Sequence, residues 1–206
     1  MSQWVALDVA DCDPSPFVQF RRWFDEASAV MVEREAIALV TSTPDGRPSA
    51  RMVLLRHVDE RTFGWYTNYD SRKGDELAAN PHGALLWYNG AQGRQVRIEG
   101  TVARMDAERS DAYFASRARG HQIGAHASAQ SRPLSSRREL EDRVGELEVT
   151  FAGAEVARPD NWGGYELTPD RFEFWQHRED RLHDRVAYLP DGVGAPGSWT
   201  RQRLSP

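Results

Sequence analysis

The chain has 206 residues, a hydrophobic fraction of 40% and a net charge of −5, which suits one domain with a substantial buried core. Its mean hydropathy is −0.66 and no apolar run approaches the ~20 residues of a membrane span. Together with the acidic N-terminus MSQWVALDVADCDPSP, this argues against a membrane protein, a signal peptide and a nucleic-acid partner.

Residues 1–15 read as a flexible arm and residues 16–206 as a single domain. Asp13 or Ser15 can cap a helix with Pro16 at its first position, and Phe17, Phe20, Trp23, Phe24 and Ala27 then share one face. Ala36–Ser42 reads as a strand, Pro44-Asp45-Gly46 as a turn and Ser49–His57 as the returning strand of a hairpin. Thr62–Thr67 is a third, aromatic strand. Ser71 can cap a short helix that stops at Asn80-Pro81. Ala84–Tyr88 and Gln95–Ala103 are strands joined by a Gly-containing loop, Asp106–Arg117 is helical, and Ser135–Phe151 is an amphipathic helix with Leu140, Val144, Leu147 and Phe151 on one face. Four strands close the chain: Gly164–Leu167, Arg171–Gln176, Arg181–Leu189 and Trp199–Leu204.

Strands dominate without a regular β-α-β alternation. The expected fold is therefore mainly β with peripheral helices (α+β), an antiparallel sheet or barrel. No dinucleotide or Walker motif occurs. A single cysteine, Cys12, permits no intramolecular disulfide and is consistent with a reducing, cytoplasmic location. Without a second Cys or a His pair at metal spacing, no metal site is expected.

Chemistry-bearing residues cluster in a few places. Of 26 basic residues one is lysine, Lys73, and it follows Ser71-Arg72 at a helix start, where free N–H groups and adjacent cations suit a phosphate. An ordinary solvated helix end explains the same residues, except that cations there oppose the helix dipole unless an anion is bound. Arg51 and Arg56 flank an apolar strand centre. Tyr113 and Arg117 share a helix face, with His121 just beyond. Gln130 and Ser131 lie in a polar loop. If 181–185 is extended, Arg181, His183 and Arg185 face one side, an arrangement that an exposed, charged edge strand would also produce. With no Ser-His-Asp triad, metal cluster or covalent lysine in view, the pattern favours a bound organic cofactor.

These segments, in this order, resemble the pyridoxamine 5′-phosphate oxidase family over about residues 13–206. The resemblance rests on DPSPFVQFRRWFDEA at 13–27, RMVLLR at 51–56, YTNYDSRKG at 66–74, RQVRIEG at 94–100, YFASR at 113–117, QIGAHASAQSR at 122–132, WGGY at 162–165, FEFWQ at 172–176 and RLHDR at 181–185. It implies a homodimeric FMN-binding split β-barrel with the flavin held by both chains and a C-terminal dimerisation region at about 162–206. By matching motif, Arg51, Met52, Val53, Leu54, Leu55, Arg56, Tyr66, Thr67, Arg72, Lys73, Gln95, Gln130, Ser131, Trp175 and Arg185 would bind FMN. Arg56, Tyr113, Arg117 and His121 would meet the substrate phosphate, and Arg181 and His183 would sit over the substrate ring as the catalytic pair. The implied reaction oxidises pyridoxine or pyridoxamine 5′-phosphate to pyridoxal 5′-phosphate by hydride transfer to flavin N5, with O2 as acceptor giving H2O2. Arg56 and His121 replace the family's usual Lys and Ser, which leaves room for a related oxidase of another aromatic substrate, of the phenazine-pathway type. A non-catalytic flavin or pyridoxal phosphate carrier is the third reading, and the intact RLHDR segment argues against it.

Overall fold

The computed structural model describes residues 4–192 and 197–206. Alternating apolar positions build one curled antiparallel sheet of nine strands. β1 (Ala36–Ser42), β2 (Pro48–Leu54), β3 (His57–Val58), β4 (Phe63–Asn68), β5 (His82–Asn89), β6 (Arg94–Arg104), β7 (Trp162–Gln176), β8 (Asp184–Pro190) and β9 (Trp199–Leu204) run in the order β2-β1-β5-β6-β7-β4-β3, with β8 added to β7 and β9 to β8. In β1, Ile37 and Leu39 are fully buried while their neighbours are only partly so, the period-two pattern that fixes register. The β1–β2 hairpin pairs Ala36 with Leu54 and Ser42 with Pro48, and Gly46 supplies the positive φ of its turn.

β7 is one continuous strand where two were expected. Pro169 lies between the two expected segments and sits at a bulge, where the β6 register shifts between Glu99 and Gly100 and Gly100 faces Pro169. A side chain at Gly100 would meet the Thr168 carbonyl at 2.1 Å. β7 is thereby long enough to pair with β4 through Trp162–Leu167 and with β8 through Phe172–Gln176.

Helix α1 (Pro16–Glu26) is capped by Ser15, whose side chain accepts the Val18 N–H. It lays Phe17, Phe20 and Trp23 on the sheet, against Phe63 at 5.0 Å from Phe20 and Phe174 at 5.3 Å from Trp23. A second, smaller core joins Phe114, Ile123, Val156 and Trp162 to Val144, Leu147 and Phe151. It is built by α3 (Ala107–Ala115), α4 (Arg119–Ala127) and α5 (Arg137–Thr150). The sequence reading lacked α4, because RGHQIGAHA buries only Ile123 and Ala127. No helix among the described residues is long and apolar enough to cross a membrane.

Three further expectations change. The second strand stops at Leu54, where Leu55 turns into the core and the Arg56 N–H reaches the Gly64 carbonyl. The segment 181–185 is not extended: Glu179–Arg181 form a 3-10 turn with left-handed Asp180 and Arg181 (φ 55° and 62°), and the strand starts at Asp184. Arg181, His183 and Arg185 therefore do not share a strand face. The segment expected as a flexible arm lies against β8 and β9 over its described part. Leu7 and Cys12 are buried, Arg178 and Arg203 hold the carbonyls of Trp4 and Leu7, and the Tyr188 hydroxyl donates to the Asp13 carbonyl at 2.7 Å. Residues 1–3 lie outside the described residues.

Candidate functional site

Between β2, the end of β4, the start of helix α2 (Arg72–Ala79) and the α3–α4 junction lies a cavity of about 910 Å³. Its walls carry Arg51, Arg56, Arg72, Lys73 and Arg117 and no carboxylate. Residues 51–54 line it along β2, and of the other expected residues Tyr66, Thr67, Tyr113, His121, Gln130 and Ser131 also line it. Leu55 is the exception in that stretch, with its side chain in the core and its N–H on the Glu35 carbonyl. Ser49, Ala50, Ser116 and Trp162 also line the cavity; sequence reasoning missed them.

Lys73 is the centre of charge. It is 8% exposed, and its ammonium donates to Thr67 Oγ1 at 3.0 Å, Ser71 Oγ at 3.1 Å and Gln130 Oε1 at 2.6 Å. All three acceptors are neutral. Burial, with Arg51 nearby, brings the ammonium down to about 8. Ser71 occupies the N-cap position of α2 without capping it, because its hydroxyl donates to the Asn68 carbonyl at 2.7 Å and accepts from Lys73. The first turn of α2 thus keeps free N–H groups beside the cavity. Gly74 allows this turn: a side chain there would meet the Tyr69 carbonyl at 1.8 Å.

Behind the wall, Glu76 fixes the arginines. Its carboxylate accepts from Arg72 Nε at 2.9 Å, Ser49 Oγ at 2.6 Å and the Thr41 hydroxyl, and Arg51 lies at 3.4 Å. Burial pushes the carboxyl up, but the bonds from Ser49, Thr41 and Arg72 outweigh it and hold Glu76 at about 2. Arg51 and Arg72 are thereby oriented, and a single carboxylate offsets two cations.

At the other end, Tyr66, Tyr113 and Trp162 stack in parallel, Tyr66 to Tyr113 at 3.8 Å and Tyr66 to Trp162 at 5.6 Å. The Arg117 guanidinium lies 4.6 Å from the Trp162 ring centroid. Its Nη1 is buried without a hydrogen-bond partner, and burial lowers its pKa. A desolvated guanidinium donor beside a cavity suits an anion.

The remaining expected residues are not on this cavity. Gln95, Trp175 and Arg185 face one another across β6, β7 and β8. Arg185 Nε donates to the buried Glu173 carboxylate at 2.8 Å, and Trp175 and His183 are 4.5 Å apart. Arg181 is exposed in the preceding turn. The chain thus presents two groups of ligand-ready residues, a cationic cleft and an outer-face patch on β6–β8.

Fold and cleft together define the class: a split-barrel protein whose cationic cleft is walled by aromatic rings. Residues 24–151 match the family model described as pyridoxamine 5′-phosphate oxidase, and residues 162–206 match that described as the pyridoxine 5′-phosphate oxidase C-terminal dimerisation region. The chain belongs to the pyridoxamine 5′-phosphate oxidase family. It is 57% identical over 195 residues to a pyridoxine/pyridoxamine 5′-phosphate oxidase of Rubrobacter xylanophilus, covering 94% of this chain and 88% of the relative. To the protein of the same name from Paraburkholderia phymatum it is 54% identical over 202 residues, 98% and 93% of the two chains. Among solved structures, PhzG from Burkholderia lata 383 in complex with tetrahydrophenazine-1-carboxylic acid superposes over 100% of both chains with a TM-score of 0.90 and 31% identity.

Proposed function

We propose that the chain oxidises pyridoxine and pyridoxamine 5′-phosphate to pyridoxal 5′-phosphate with FMN as cofactor and O2 as electron acceptor, as a homodimer. The observation that carries this reading is the carboxylate-free cleft, in which Lys73 is buried among neutral acceptors and Arg117 keeps an unpaired buried donor. Two anion-binding groups, around Lys73 and around Arg117, lining one aromatic-walled cleft fit a phosphorylated cofactor and a phosphorylated ring substrate.

Arg72, Lys73, Gln130, Ser131 and the first turn of α2 would hold the FMN phosphate, with Arg51 steadied by Glu76 behind them. Met52, Val53, Leu54, Tyr66 and Thr67 would line its ring system. FMN would supply the two-electron acceptor chemistry there, with O2 and two protons as the final sink giving H2O2. Arg56, Tyr113, Arg117 and His121 would grip the substrate phosphate and hold the ring in attack geometry. Gln95, Trp175, Arg181, His183 and Arg185 lie away from this cleft, so they would complete the cleft of the partner subunit. There Arg181 and His183 would orient the substrate and polarise its reacting substituent.

The PhzG likeness and the residues Arg56 and His121 favour one second reading, oxidation of a tricyclic aromatic acid. The higher identity to the vitamin B6 oxidases, 57% against 31%, weighs against it. Steady-state H2O2 release with pyridoxine 5′-phosphate, pyridoxamine 5′-phosphate and tetrahydrophenazine-1-carboxylic acid tests the choice. Turnover of both vitamin phosphates and not of the phenazine is expected; the reverse preference overturns the reading.

A further inference from the structure

Two imidazoles and two indoles meet where β7 turns toward β8. His183 lies 4.5 Å from Trp175 and 5.2 Å from His177, ring centroid to ring centroid. On its other side His177 meets the Trp4 ring edge-on at 5.3 Å, so residue 4 of the N-terminal segment backs the pair. The His177 backbone is fixed, its N–H donating to the Gly93 carbonyl at 2.7 Å. His183 Nδ1 accepts the backbone N–H of Arg178 at 3.1 Å.

A neutral imidazole has one donor and one acceptor nitrogen. Acceptance at Nδ1 leaves the proton on Nε2, and a second proton would set N–H against N–H. The charged neighbours act in the same direction. Arg178 and Arg181 belong to the same turn, and Arg185 follows on β8. Of the carboxylates nearby in sequence, Glu179 and Asp180 are exposed in the turn, and Asp184 is taken up by Arg178 at 3.5 Å and by Arg203 of β9 at 2.9 Å. Burial, then His177 and Arg181, lower the His183 pKa.

We propose that His177 is a positioning residue for His183: it braces the ring so that Nδ1 stays the acceptor of Arg178 and the imidazole works as a neutral Nε2–H donor, not as a base. This rests on the reading of His183 as substrate-facing and adds its protonation state and the residue that sets it. A donor at that place hydrogen-bonds an oxygen or nitrogen on the substrate ring and stays competent until acid protonates it.

Imidazole ¹H–¹⁵N spectra of the holoenzyme across pH test this directly. Wild-type His183 is expected as the Nε2–H tautomer. In His177→Ala the Nδ1–H tautomer becomes populated and the midpoint rises, because one of the neighbours that hold it down is gone. His177→Phe keeps a ring in place and keeps the tautomer, which separates bracing from general loss of fold. A wild-type Nδ1–H tautomer, or an Ala variant with unchanged tautomer and midpoint, overturns the proposal. The acid limb of kcat/KM should move with the midpoint. If the spectra change and that limb does not, the bracing stands and the catalytic reading of His183 falls.

Discussion

Lys73→Met isolates the charge on which the cleft is built. The ammonium drops from its ordinary 10.5 to about 8 in the folded chain. Between those values the unfolded chain holds more protons than the folded one, so stability rises with pH through that window, and the cost is present in full below pH 8. Integrated from pH 7 to pH 10, this one group accounts for about 2.5 kcal/mol. Other groups titrate over the same range, so the quantity to follow is the difference between wild type and Lys73→Met. Urea unfolding of the flavin-free proteins at pH 7, 8, 9 and 10 measures it. The difference should shift in favour of wild type by roughly 2–3 kcal/mol as pH rises. Saturating FMN should abolish the slope of that difference, because an anion beside Lys73 returns its ammonium toward the ordinary range. A difference that does not vary with pH, or a slope that survives FMN, refutes the claim of a buried cation awaiting its counter-ion.

Other outcomes follow from the same geometry. Arg117→Ala should raise KM for the vitamin phosphates roughly 10- to 100-fold, the worth of a charged hydrogen bond, while a fluorescence titration finds FMN affinity little altered. Arg181→Ala should lower kcat far more than FMN affinity; equal loss of both contradicts a role over the substrate. Gly74→Ala should cost about 2–3 kcal/mol in urea unfolding, because its side chain would strike the Tyr69 carbonyl; an unchanged midpoint refutes the tight turn.

Elements with strong local patterns were legible in advance. β1 and β9 fall at their expected ends, and α1 starts at Pro16 behind Ser15, because alternation, capping and a turn glycine all agree there. Legibility failed where tertiary contacts decide. α4 buries only two residues, so it has little amphipathic signal. The 179–181 turn uses left-handed Asp180 and Arg181 with no glycine to announce it. The seat of the N-terminal segment is made by arginine side chains on backbone carbonyls, which no periodicity records. At the site, Arg72 and Lys73 carried a visible motif, whereas Gln130 entered only through the family resemblance. Glu76 carried none, since its role depends on Ser49 and Thr41 arriving from two other strands.

The central claim, a flavin reduced by a phosphorylated vitamin in this cleft, is tested most directly by the visible absorbance of the purified protein under anaerobic conditions. A yellow protein whose flavin band bleaches on adding pyridoxine 5′-phosphate and returns on admitting air is the predicted result. A protein that takes up no FMN, or a flavin band that the substrate leaves unchanged, contradicts the account.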